Sequence, residues 1–332
     1  MKHSKSALLF IAGIVCLALC ALASVAYGSK AVGFHSIYAA LFRTDAPSFE
    51  VSVVLARVPR TVFGIVAGAA LGVSGTLMQA ITRNPIADPS ILGVNTGASL
   101  FVVFGIAFLH ITSRAQYIWL AFAGAALAAL FVYGIASAGH GGPTPAKLAL
   151  AGAATTTALS SLVNTIMLPS SHVMDSFRFW QTGSISGTGW SDIAAVLPYL
   201  LVGFVMALAL SPALNALALG DEMATSLGVN TRLVRAASAF AGVLLCAATT
   251  ALAGPIGFVG LMIPHLMRLL LGPDMRLVIP MSALGGGSLL LVADILGRIL
   301  GRPGEVEVGI ITAILGAPAF IFIVRKAKVR AI

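Results

Sequence analysis

Arg57-Val58-Pro59-Arg60 and Arg83-Asn84-Pro85-Ile86-Ala87-Asp88-Pro89 enclose a run of Gly, Ala and aliphatic residues long enough to cross a bilayer. Prolines and charges wedged between two membrane-length apolar runs are costly in hydrocarbon, so both knots belong at a membrane surface. Pro85 and Pro89 disfavour helix in the residues before them and cannot donate a backbone hydrogen bond. Asn84 and Asp88 carry acceptors suited to capping the helix that follows. The residues leave three roles open for this segment: a fixed connector between helices, a direct contact with a partner subunit, or gating.

Composition agrees with that reading. Hydrophobic residues make up 58% of the 332-residue chain and charged residues only 9%, and the mean hydropathy is +1.00. Too little polar side chain remains to cover a water-soluble globule of this size, so the fold class is an all-α polytopic membrane protein forming one transmembrane domain over 1–332. Taking roughly 20 apolar residues per crossing, ten candidate spans are found: 8–27, 61–80, 92–109, 118–136, 148–168, 193–214, 234–252, 256–271, 278–300 and 308–324.

Charge orients them. With the N-terminus inside and ten alternating crossings, Lys2, Lys5, Arg83, Lys147, Arg232, Arg235, Arg268, Arg276, Arg325, Lys326, Lys328 and Arg330 fall on the cytoplasmic side. That is twelve of the twenty Lys and Arg, as the positive-inside tendency requires, and it places both termini in the cytoplasm. The net charge of +9 then reflects topology and contact with anionic lipid headgroups, with no nucleic-acid partner. Ala21-Leu22-Ala23 imitates an export-signal cleavage site, but losing the first span would leave nine crossings and spoil the charge balance. Cys16, Cys20 and Cys246 all sit in apolar segments and read as packing residues.

Several motifs recur in order along the chain: the Arg57 and Arg83 knots, A-G-A-A-L-G-V-S-G-T-L-M-Q from Ala67, L-G-V-N-T-G-A from Leu92, L-N-A-L-A-L-G-D-E-M-A-T-S-L-G-V from Leu214, G-P-I-G-F-V-G-L-M-I-P-H-L-M-R from Gly254 and V-G-I-I-T-A-I-L-G-A-P from Val308. Together they resemble the FecCD family, the permease subunits of type II ABC importers that bring ferric siderophores, heme or vitamin B12 into bacteria. The resemblance covers nearly the whole chain and implies a vitamin B12 importer permease-like fold of about ten helices in the bacterial cytoplasmic (inner) membrane. It also implies partners: a second permease subunit, identical or similar, an ATPase dimer that binds ATP and Mg, and an extracytoplasmic substrate-binding protein. No cofactor is expected in this chain.

The resemblance assigns roles to particular residues. Arg57, Arg60 and Arg298 are expected at the outer rim, where arginine forks suit reversible docking of glutamates on the binding protein; anchoring in the interface by snorkelling is the alternative. Gly220, Asp221, Glu222, Leu227, Gly228 and Arg232 are expected in two short cytoplasmic helices that couple to the ATPase. Thr155, Thr156, Thr157 and Ser160, in a span of small and hydroxylated residues, are expected to line the translocation path, although their composition suits tight helix packing equally well. Gln79, Asn164, His265 and Asp294 lie in or near spans as isolated polar groups, with helix-end bonding expected for His265. Where the family reads E-L-P-V-G this chain has Glu305-Val306-Glu307-Val308-Gly309, so Glu307 is expected to alter docking or to pair with Arg302.

The sequence also sets aside other classes. It has no G-x-x-x-x-G-K-[ST] phosphate loop, no G-x-S-x-G elbow and no H-E-x-x-H pair, so ATP hydrolysis is expected in a separate subunit and the chain itself is not expected to be an enzyme. A proton-coupled secondary transporter, the alternative from another class, finds no chain of carboxylates for a proton relay. The segment around Phe179-Trp180-Gln181-Thr182-Gly183-Ser184 looks most like siderophore permeases, which makes ferric siderophore the expected cargo ahead of heme and cobalamin.

Overall fold

The computed structural model describes residues 2–28, 33, 38, 40, 49–138 and 144–329. Helices account for the ordered elements: α1 (Lys2–Ala26), α2 (Phe49–Thr82), α3 (Val94–Phe108), α4 (Arg114–Ser137), α5 (Pro145–Met167), α6 (Ser171–Gln181), α7 (Trp190–Ala218), α8 (Asp221–Ser226), α9 (Thr231–Ala253), α10 (Val259–Leu271), α11 (Met275–Leu300) and α12 (Val308–Val329), with a single 3-10 turn at Pro89–Leu92. Among the described residues seven helices are long and apolar enough to cross a membrane, and three shorter apolar ones, Val94–Phe108, Val259–Leu271 and Val308–Phe322, accompany them. Each coincides with one of the ten spans read from the sequence. Arg330, expected on the cytoplasmic side, lies outside the described residues.

One boundary differs substantially. The second span was expected to open at Thr61, yet α2 begins at Phe49 and continues through Pro59. At 1.5 Å per residue its 34 residues reach roughly 51 Å, well beyond a hydrocarbon core of about 30 Å. The early turns were hidden because Glu50, Arg57, Pro59 and Arg60 depress the hydropathy there. Pro59 costs one backbone hydrogen bond, which a helix packed inside protein tolerates.

α2 is the centre of the bundle and packs most extensively against α11, then α9 and α10. That closeness depends on missing side chains. Gly68 faces Gly286 of α11, and Gly75 faces Gly260 of α10, so near that a Cβ at any of these positions would run into the opposite backbone. In lipid, where apolar surface gains nothing by leaving its solvent, such backbone approach is a principal source of helix association. A second group, α3, α4 and α5, packs together and joins the centre through α9, which touches α2, α4 and α7.

The polar contacts sort into two ends. Gly28, Arg60, Ser186, Asp294, Arg302 and Glu305 meet at one, and Arg83, Asn215, Asp221, Arg235 and Asp274 gather at the other. Alternating crossings demand this division. α1 delivers Ser24 to the first end and α12 starts beside Glu305, so Lys2 and Val329 both lie toward the second.

Candidate functional site

The first end is organised by a carboxylate. Asp294, on α11, is 1% exposed at its side chain and lies one helical turn from Arg298, 2.8 Å away and 2% exposed. Arg60 arrives from α2 and donates from Nε at 3.0 Å and from Nη2 at 2.6 Å to Asp294 Oδ1, then reaches Glu305 Oε2 with Nη1 at 2.8 Å. Arg298 continues the network to α1, donating to the Ser24 carbonyl at 2.9 Å and to its hydroxyl at 2.8 Å. Arg57, one turn before Arg60, donates to the carbonyls of Val25 and Ala26 at 3.0 and 3.2 Å. Three helices and the 301–307 connector are thereby tied at one point.

This placement corrects an expectation. Arg57 and Arg298 are not exposed forks: each is buried, and Arg298 is among the largest fully buried side chains. A guanidinium cannot be left unpaired in such surroundings, and Asp294 together with helix-terminal carbonyls supplies the counterpart. Arg60 keeps 12% of its side chain accessible, beside the partly exposed Glu305. Asp294 is likewise not isolated, and neither is Gln79, which donates to the Gly260 and Leu261 carbonyls at 3.2 and 3.1 Å and accepts from Arg268. The pairing expected between Glu307 and Arg302 gives way to a 2.5 Å hydrogen bond from Arg302 to the Gly28 carbonyl. His265 makes none of the expected helix-end bonds, since its Nε2 is buried without a partner.

At the second end the same motif recurs in the open. Gly220, at φ +115°, turns the chain into α8, and Gly228, at φ +80°, turns it out again; both values lie where a side chain would be strained. Asp221 Oδ1 accepts from Arg83 at 2.5 Å and from Arg235 at 2.9 Å, and Arg83 also donates to the Leu217 carbonyl at 2.7 Å. Asp221 therefore secures this loop to the Arg83 knot. Glu222, Leu227 and Arg232 are exposed, together with Met223. Instead of two short helices the region holds one, α8, because Thr231 already begins α9, capped by the Asn230 side chain on the Leu233 N–H at 3.1 Å.

Between Arg83 and α3, Asp88 accepts from the Ser90 N–H at 2.9 Å and caps the 3-10 turn. It borders a small apolar space formed by Met78, Ile81, Ile91 and Leu148. That desolvation pushes its carboxyl above the ordinary range, against the lowering effect of the Ser90 hydrogen bonds.

α5, like α7, leaves much of its surface uncovered. Thr155 is buried and Thr156 and Ser160 half-buried, while Thr157 is exposed. Thr157, Ser161 and Thr165 follow at four-residue intervals along the exposed face, each hydroxyl donating to the carbonyl four residues back at 2.9, 3.0 and 2.8 Å. With its protons used internally, this stripe offers methyl groups and weak acceptors.

The FecCD transport family profile matches residues 16–326. The chain belongs to this family. It is 40% identical to the Fe(3+)-citrate import system permease protein of Bacillus subtilis, over 98% of this chain and 97% of that one. With the ferric enterobactin transport system permease protein of Escherichia coli it shares 42% identity over 95% of both. Among solved structures, one assigned to the metal-chelate type of ABC transporter, in an inward-facing conformation, superposes with a TM-score of 0.84 at 27% identity, over 97% of this chain and 99% of its own. The protein is thus a multi-pass transmembrane permease subunit of an ABC importer, a class whose ATPase is a separate chain.

Reasoning from sequence missed the convergence of this permease's arginines on Asp294. One local signal was present: Asp294 and Arg298 are four residues apart and so share a helix face. The Arg60 partnership spans 234 residues and had none.

Proposed function

We propose that this permease imports ferric siderophores, with full-length similarity to permeases named for ferric cargo as the carrying observation. It pairs with a second permease subunit, identical or similar, on two ATPase subunits that bind ATP and Mg, and receives cargo from an extracytoplasmic binding protein. The Asp294 end faces outward and the Asp221 end faces the cytoplasm, which puts both termini inside and agrees with the charge bias along the chain. Arg60 and Glu305, the accessible members of the outer cluster, meet the binding protein, while Arg57 and Arg298 hold Arg60 in place. Exposed Glu222, Met223, Leu227 and Arg232 meet the ATPase, and Asp221 holds that loop against Arg83 so that force on it reaches α2. The exposed face of α5 lines the path: hydroxyls satisfied within their own helix attract a passing chelate weakly, which suits passage more than retention.

Uptake of radiolabelled cargo tests the reading. A strain lacking its own permease, with and without this gene and its partner subunits, is offered ferric siderophores of several classes, heme and cobalamin. Restored uptake of a ferric siderophore supports the proposal; restoration of heme or cobalamin alone overturns the cargo and keeps the transport class.

A further inference from the structure

A cavity of about 480 Å³ opens beside the Asp294 end, between α4, α6, α9, the 184–187 loop and Glu307 just before α12. Its lining mixes polar and apolar groups. Hydroxyls come from Thr112, Ser176, Ser184, Ser186 and Tyr117, the last donating to the Ile111 carbonyl at 3.3 Å, an indole from Trp180, and the one formal charge in the lining from Glu307. Trp180 stacks on Phe177 at a 5.9 Å centroid distance, and its Nε1 is buried with no hydrogen-bond partner.

Three features of this lining act in the same electrostatic sense. Glu307 brings a carboxylate. Ala251, Leu252 and Ala253 are the last turn of α9, whose carbonyls carry the partial negative charge of a helix C-terminus. The Trp180 ring offers a π face that favours a cation. The positive charge of Arg60, linked to the lining through Ser186 at 3.3 Å, is already covered by Asp294 and Glu305.

We propose that this cavity is a binding site for an organic ammonium group, held by Glu307 and the Trp180 ring with its periphery on the serine and threonine hydroxyls. Resting on the siderophore reading, it deepens that reading: the site receives the free amine of a cationic ferric chelate and makes the permease selective for amine-bearing cargo over its neutral counterpart. The unpartnered indole N–H then meets an acceptor on the ligand, which leaves no buried donor unsatisfied.

The test compares two probes that differ only in charge, the ferric complex of a linear trihydroxamate ending in a primary amine and its N-acetylated form. Each is titrated against the purified, nanodisc-held transporter by quenching of tryptophan fluorescence, with Trp180→Phe identifying the part of the signal that arises in the cavity. Wild type is expected to bind the amine form about fivefold more tightly, the magnitude of a partly exposed ion pair reinforced by a cation–π contact. Glu307→Gln should abolish that preference, and Glu307→Lys should reverse it. Equal binding of the two probes, or a preference that survives Glu307→Gln in protein with unchanged thermal stability, overturns the site. Uptake by whole cells separates the two readings. Amine-dependent binding without uptake of any ferric chelate overturns the cargo class and supports the cavity, whereas uptake of both forms in a ratio that Glu307→Gln leaves unchanged overturns the amine selectivity and keeps the cargo class.

Discussion

At each end of this permease two arginines share one aspartate, and the two triads differ most in their access to water. Arg60 and Arg298 meet on Asp294 with side-chain exposures of 12%, 2% and 1%. Arg83 and Arg235 meet on Asp221 with exposures of 40%, 18% and 47%. In the first triad water has little access, and the charges rely on protein partners: each other, with Glu305 added for Arg60 and Ser24 for Arg298. In the second, water is ready to replace any member that leaves. The same pairing of one aspartate with two arginines therefore has unequal consequences: the Asp294 triad is part of the fold, and the Asp221 triad is a fastening that can be released.

The sharpest way to break this comparison is Asp294→Ala, which leaves Arg298 buried without a carboxylate and Arg60 with Glu305 alone. A loss of about 3–5 kcal/mol is expected, read by thermal or denaturant unfolding of the purified permease in nanodiscs. A shift no larger than that of Asp221→Ala would refute the distinction. Arg298→Met comes next. It removes the ties to Ser24 but leaves Asp294 with Arg60, so a cost of about 1–3 kcal/mol is expected in the same assay.

Asp88 sharpens the contrast as a desolvated acid at the otherwise exposed end. Its carboxyl lies above the ordinary range, so the folded state holds its proton where the unfolded chain has released it. This group's contribution is therefore full below the ordinary carboxylate range and declines as pH rises toward the raised value. Asp88→Asn, measured across that window, should flatten the pH dependence of stability; an unchanged slope would count against the desolvation. The smallest effect on folding belongs to Asp221→Ala, expected within about 1 kcal/mol and shrinking further with added salt. ATP-driven uptake by the same variant should fall severalfold at normal membrane levels if Asp221 secures the coupling loop to α2, and unimpaired uptake would reduce the residue to a surface decoration.

The spans were legible because apolar runs of membrane length leave a strong local signal, and the motif series from Arg57 to Pro318 established the family. Two kinds of feature escaped. The first turns of α2 were masked by Glu50, Arg57, Pro59 and Arg60, whose side chains are accommodated by neighbouring helices that a hydropathy window does not see. Burial of Arg57 and Arg298 was missed for a related reason, since a charge near a predicted helix end looks exposed until its partner arrives from elsewhere in the chain. Asp294 and Arg60 are such partners, and only the folded bundle makes them neighbours.

α2 also carries a built-in gauge. Arg60 is fastened near one surface and Gln79, 19 positions later, is fastened to α10 near the other. At 1.5 Å per residue the span between those anchors is roughly 28 Å, close to the thickness of a bilayer's hydrocarbon layer. Because the helix lies at the centre of the bundle with bare backbone against its neighbours, it has little scope to tilt or stretch. In a membrane thicker or thinner than this gauge the lipid must deform around the protein, and the protein's polar anchors keep their separation.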